Sequence, residues 1–235
     1  VGEREKFFFV EFEIRRFPVV DHDRPFRVPV QTAAKPFAVQ VVKGPGHSAE
    51  SRFGADHHQL GRLERLARLK QPGKMERIDL GQPFTVLIDY AFEPKALEAL
   101  YQNLDFLSSR RLIHILGSAG GGRDRARRPL LGKMAGSRAD IVIVTDEDPY
   151  DEDPQIIIDQ VAAGAEQAGK ILNQNLFKIL DRRQAFHLAF NLAQSGDLVL
   201  ITGKGAEQYI CGSNGLQIPW DDRKVAKEEL KSLVA

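Results

Sequence analysis

Thr85-Val86-Leu87-Ile88-Asp89-Tyr90-Ala91-Phe92-Glu93-Pro94 passes from an apolar run into a short polar turn and then a proline. Residues 85–90 read as a buried strand, and Pro94 suits the first turn of a helix. Leu97, Leu100, Tyr101, Leu104 and Leu107 follow at helical spacing and make one apolar stripe. Strand, loop and amphipathic helix form the repeating unit of a sheet with helices packed on its faces.

The unit recurs down the chain. A second strand, residues 112–116, runs into Gly120-Gly121-Gly122, and a helix is expected after Pro129. Ile141-Val142-Ile143-Val144-Thr145 is a third strand ending in an acidic loop. Asp153 and Pro154 then make an N-cap and N1 pair for a helix through about Ala168. Asp181 caps a helix carrying Ala185, Leu188, Ala189 and Leu192, and residues 197–202 form a further strand before Gly203. A hairpin is expected over residues 209–218 around Ser213-Asn214-Gly215, and Asp221 caps the last helix. The fold class is therefore α/β, a Rossmann-like, mostly parallel sheet flanked by helices. Ligands of such sheets sit at the carboxyl ends of the strands.

The first 70 residues have a different character. Phe7-Phe8-Phe9-Val10 and Phe37-Ala38-Val39-Gln40-Val41-Val42 are strand candidates, and residues 60–69 make a short amphipathic helix, but no signal there defines a complete domain. They read as an incomplete, β-containing N-terminal segment.

Composition narrows the function. The 235 residues are 43% hydrophobic, enough for a packed core, and a formal net charge of +1 provides no field for nucleic acid or an anionic membrane. No apolar run approaches a membrane span, so neither nucleic acid nor membrane is expected as a partner. The single Cys211 excludes an internal disulfide and fits a reducing cytoplasm.

Five short motifs lie in one order: Pro72-Gly73-Lys74-Met75-Glu76, Asp89-Tyr90-Ala91-Phe92-Glu93-Pro94, Gly120-Gly121-Gly122-Arg123-Asp124-Arg125, Thr145-Asp146-Glu147-Asp148-Pro149, and Gly203-Lys204-Gly205-Ala206-Glu207. Four of them fall at strand ends. In this order they resemble the C-terminal domain of the Mur ligases, in particular the branch that adds the third amino acid to the peptidoglycan stem peptide. The resemblance covers residues 71–235. It implies an ATP-dependent amide ligase of the cytoplasm that joins a diamino acid to UDP-N-acetylmuramoyl dipeptide. It also implies that residues 1–70 are an altered, poorly ordered remnant of a central ATPase domain.

Site residues follow from the same resemblance. Lys74, in place of the family's usual arginine, Asp89, at the position of a ribose-binding carboxylate, and Phe92, in place of a histidine, make up the nucleotide side. Arg123, Asp124, Glu147, Asp148, Pro149, Tyr150, Gly203 and Glu207 make up the amino-acid side. Tyr150 stands where enzymes using meso-diaminopimelate carry an arginine, so the acidic loop 146–153 is read as favouring a substrate with a distal ammonium. Gly122 and Ala206 also depart from the family's Asp and His. Each motif has a plainer reading too: Asp89 as a turn residue, residues 120–128 as a solvated basic loop, residues 146–153 as a solvated acidic loop, and Glu207 as a surface carboxylate.

No G-x-x-G-K-[ST] loop occurs in these 235 residues, since Gly203-Lys204-Gly205 is followed by Ala206. The main grip on ATP and Mg²⁺ is therefore expected from a part not in this sequence, and the chain alone is expected to be inactive. No catalytic residue and no metal ligand is assigned, and the scattered histidines have no ligand spacing. Other readings are a non-catalytic nucleotide or amino-acid binding module, a degenerate partner subunit, or a folylpolyglutamate- or cyanophycin-type ligase. A dinucleotide-binding protein is disfavoured because G-x-G-x-x-G is missing after the first strand.

Overall fold

The structure is a computed structural model and describes residues 71–234. The strand candidates at Phe7 and Phe37 and the helix at 60–69 lie outside the described residues.

Six strands form one sheet: β1 (Glu76–Ile78), β2 (Thr85–Asp89), β3 (Leu112–Leu116), β4 (Ile141–Thr145), β5 (Leu176–Ile179) and β6 (Leu198–Thr202). Their spatial order is β1-β2-β6-β3-β4-β5, parallel throughout except for β1, which pairs antiparallel with β2. The helices are α1 (Pro94–Leu104), α2 (Arg127–Arg138), α3 (Pro154–Gln167), α4 (Arg182–Leu192) and α5 (Asp222–Val234). A two-stranded ribbon, β7 (Tyr209–Cys211) with β8 (Gln217–Pro219), closes around a 3₁₀ turn at Ser213–Gly215, as the hairpin reading required.

The central strands are apolar on both faces because both faces are covered. Leu87, Leu116, Val142, Val144, Leu198 and Leu200 pack with Leu97, Leu100, Leu131, Val161 and their neighbours from α1, α2 and α3. The alternate residues Val86, Ile88, Ile113, Ile115, Ile143, Val199 and Ile201 pack on Phe186, Phe190, Val225 and Leu230 from α4 and α5. Between α2 and α3 the backbones nearly touch. A Cβ at Gly132 would overlap the carbonyl oxygen of Val161, and one at Gly164 would overlap that of Pro129. Glycine in a helix costs about 1 kcal/mol relative to alanine, and this close approach offsets it. His114 is a satisfied core histidine, bonded to the hydroxyls of Tyr101 (2.7 Å) and Thr202 (3.0 Å), and burial pushes it down to about 3.

Local signals hold closely. Asp153 accepts from the Gln155 N–H, Asp181 from the Gln184 N–H and Asp221 from the Arg223 N–H, each at the head of its helix. The differences are local as well. α1 ends at Leu104, so Leu107 packs on the same core from outside the helix. α2 starts at Arg127, which puts Pro129 inside the first turn, where its missing N–H breaks no helical bond. The edge strands β1 and β5 were not anticipated, because three or four residues with little burial carry almost no periodicity.

Candidate functional site

β2, β6, β3 and β4 are consecutive in the sheet, so the loops leaving their carboxyl ends are neighbours. These are the loops after Asp89, Thr202, Leu116 and Thr145. The parallel register places Asp89 beside Thr202 and Leu116 beside Val144.

Lys74, Asp89 and Phe92 line one cavity of about 450 Å³, with Met75, Tyr90, Ala96, Ala99 and Asn103 among its other walls. Asp89 Oδ1 accepts from the Ala91 N–H and Oδ2 from the Met75 N–H, both at 2.8 Å. Asp89 therefore closes the turn after β2 and at the same time lines the cavity. Burial raises its carboxyl above the usual range, against those two backbone bonds. Phe92 meets Tyr90 edge-on at 4.9 Å between centroids. The Arg127 guanidinium, ion-paired with Glu93, lies 5.9 Å over the Phe92 ring. Gly73, at φ +71°, rests directly on the backbone of Gly205 and Ala206, where any side chain would collide, so the first and last motifs are in contact.

The other half of the site is a charged cluster. The buried Lys204 ammonium lies 2.8 Å from both Asp148 oxygens and 2.5 Å from Glu207 Oε2. Glu207 Oε1 accepts from the Tyr90 hydroxyl at 2.6 Å, which pushes the tyrosine up to about 12. Asp148 also ties loops together through its main chain and side chain. Its carbonyl accepts from the Gly120 N–H at 2.7 Å and its Oδ1 from the Cys211 N–H at 2.7 Å. Tyr150, at φ +53°, packs its ring on Gly121, and its side chain holds the Arg123 guanidinium.

Glu147 is buried, and burial pushes its carboxyl up to about 7. Its Oε2 has no hydrogen-bond partner among the described residues and sits against Gly203, whose φ of +108° favours glycine. Arg182 braces this region from beneath. It pairs with Asp222, both side chains fully buried, and donates to the carbonyls of Asp146 (3.1 Å) and Thr202 (2.9 Å).

Of the residues expected on the amino-acid side, Arg123, Glu147, Asp148, Tyr150, Gly203 and Glu207 converge, and the Pro149 carbonyl packs against Gly120. Asp124 does not join them. It is exposed, and its carboxylate accepts from the Ala126 N–H in the turn before α2. The acidic loop is also not a free negative surface. Asp148 is neutralised by Lys204 and Glu152 by Arg125 and Arg128, Asp153 caps α3, and Asp151 accepts from the Asn214 N–H. The argument from that loop to a distal ammonium loses its basis. Tyr90, Lys204 and Arg182 were not singled out from sequence. A lysine between two glycines was the one available signal for Lys204.

A mostly parallel α/β sheet with these four loops gathered at its carboxyl edge defines the class: this chain belongs to the Mur ligase family. The model for the Mur ligase, glutamate ligase domain, matches residues 73–205. Over 175 residues the chain is 47% identical to the UDP-N-acetylmuramyl-tripeptide synthetase of Roseiflexus sp. (strain RS-1), covering 74% of this chain and 33% of that protein. It is 42% identical over 170 residues to a UDP-N-acetylmuramoyl-L-alanyl-D-glutamate--2,6-diaminopimelate ligase of Syntrophomonas wolfei, covering 72% and 34%. A solved structure of a ligase of that second name superposes with a TM-score of 0.60 at 33% identity, covering 70% of this chain and 32% of the other. The chain thus spans about a third of the length of the curated relatives it matches.

Proposed function

We propose that residues 71–235 are the nucleotide-closing and amino-acid-binding domain of an ATP-dependent ligase of peptidoglycan precursor synthesis. In this reading the ligase joins a diamino acid to UDP-N-acetylmuramoyl dipeptide in the cytoplasm, and residues 1–70 belong to the tail of its central ATPase domain. The observation that carries the reading is the adjacency of the cavity lined by Lys74, Asp89 and Phe92 to the Glu207–Lys204–Asp148 cluster, bridged by Tyr90. Asp89 has lone pairs left for the two hydroxyls of a ribose. Lys74 supplies a cation at the cavity mouth, and Phe92 an apolar wall. Glu207 accepts from the ammonium of the incoming amino acid, and Arg123 offers a guanidinium for a carboxylate.

In the reaction, the γ-phosphoryl group of ATP passes to the dipeptide carboxylate. The amine then attacks the acyl carbon, phosphate leaves, and the amine loses a proton. This domain contributes by holding the amine and the nucleotide in reach of each other. By the same resemblance Mg²⁺ is held mainly by the P-loop-bearing central domain, and no residue of this domain is given a metal role.

The test is a chimera in which residues 71–235 replace the corresponding third of the Roseiflexus relative. Phosphate release that depends on both UDP-N-acetylmuramoyl dipeptide and a diamino acid supports the reading. A folded chimera that binds nucleotide and amino acid but releases no phosphate favours the second reading, a non-catalytic binding module. The changes at Phe92, Gly122 and Ala206 are the observation on that side.

A further inference from the structure

Tyr90 stands at the junction of the two halves of the site and belongs to neither set of residues expected from sequence. It follows the last residue of β2, and its ring lines the 450 Å³ cavity beside Phe92. Its hydroxyl reaches 117 positions along the chain to donate to Glu207 Oε1 at 2.6 Å, the length of a bond to a charged acceptor. Glu207 is therefore held on both oxygens, by Tyr90 and by the buried Lys204, while its side chain remains 37% exposed. A carboxylate has about four lone-pair directions, so two remain for a ligand.

We infer that Tyr90 is a positioning residue that presets the Glu207 carboxylate for the ammonium of the incoming amino acid. The inference rests on the proposed amino-acid role of Glu207. Without the hydroxyl, Glu207 is free to turn and give both oxygens to Lys204, which competes with a second ammonium. The carboxylate would then have to be ordered at the moment of binding, and ordering a side chain weakens affinity. Because the neighbouring carboxylate holds the Tyr90 hydroxyl protonated, it remains a donor throughout the neutral range.

The experiment titrates the 235-residue chain and its Tyr90→Phe variant with L-lysine, L-ornithine and meso-diaminopimelate as amine probes, and with ADP as the nucleotide probe. The expected result is a split: the Kd of whichever amino acid binds rises about tenfold. The ADP Kd changes by less than about twofold, because the ring that lines the cavity is kept. Added to Glu207→Gln, Tyr90→Phe should have little further effect on amino-acid binding. A loss shared equally by both kinds of probe would make Tyr90 a wall residue and overturn the inference, as would no change in either. If the parent chain binds none of the three amino acids, the amino-acid half of the proposed function fails with it. If it binds one and Tyr90→Phe binds as well, only the inference fails.

Discussion

The ammonium of Lys204 lies 2.8 Å from each carboxylate oxygen of Asp148, with the lysine side chain only 1% exposed. Two loops 56 positions apart in the chain are joined there by a buried ion pair. Such a pair stabilises little relative to a well-packed apolar alternative, but breaking it leaves a buried charge without a partner. Lys204→Met is therefore expected to lower the unfolding free energy by about 3–5 kcal/mol, read by urea denaturation. Amino-acid binding should weaken with it, because Glu207 loses one of its two anchors.

Arg182 and Asp222 form a second buried pair, and Arg182 also holds the carbonyls preceding Glu147 and Gly203. Arg182→Met should cost about 3–5 kcal/mol by the same argument. A denaturation midpoint within error of the parent would show that the pair is not needed to hold these loops.

Glu147 makes stability depend on pH. Its folded pKa, about 7, lies above the ordinary glutamate value of 4.5, so between those values the folded state binds more protons than the unfolded one. Stability should fall as pH rises through that window. Glu147→Gln should flatten the slope, by no more than about 3 kcal/mol in total. Asp221 acts oppositely: neighbouring Arg223 and Gln208 hold it down to about 2, so its contribution is present above about pH 4 and is lost on acidification. Urea titrations of the parent and Glu147→Gln at pH 5 and 7.5 separate the two. Equal slopes would remove the role given to Glu147.

Gly132→Ala should reverse the usual sign of a glycine-to-alanine change in a helix. On an exposed helix that change stabilises by about 1 kcal/mol. Here the new methyl overlaps the Val161 carbonyl oxygen, and the expected result is a loss of about 1–3 kcal/mol. Thermal melts of Gly132→Ala read the sign directly.

Much of the fold was legible because it rests on local rules. The strands read at 85–90, 112–116, 141–145 and 197–202 became the four central strands, the first and last each shorter by one residue, and Asp153, Asp181 and Asp221 head the helices they were expected to cap. The site was legible as a set of loops, since four motifs follow strands and parallel strands bring those ends to one edge. Less legible was what each side chain does there. Residues 146–153 read as a free acidic loop, yet Asp148 is consumed by Lys204 and Glu152 by two arginines. Asp124 sits in a site motif but serves a turn.

Sequence alone determined the α/β class, the central strands, the helix caps and the family resemblance, because hydrophobic period, capping and motif order are properties of neighbouring residues. Tertiary structure decided that β6 lies between β2 and β3, that short edge strands complete the sheet, and that Tyr90 and Lys204 hold Glu207. The physical reason is distance along the chain. Whether a carboxylate is free, paired or buried depends on partners brought to it from remote segments, and no local pattern records which partner arrives.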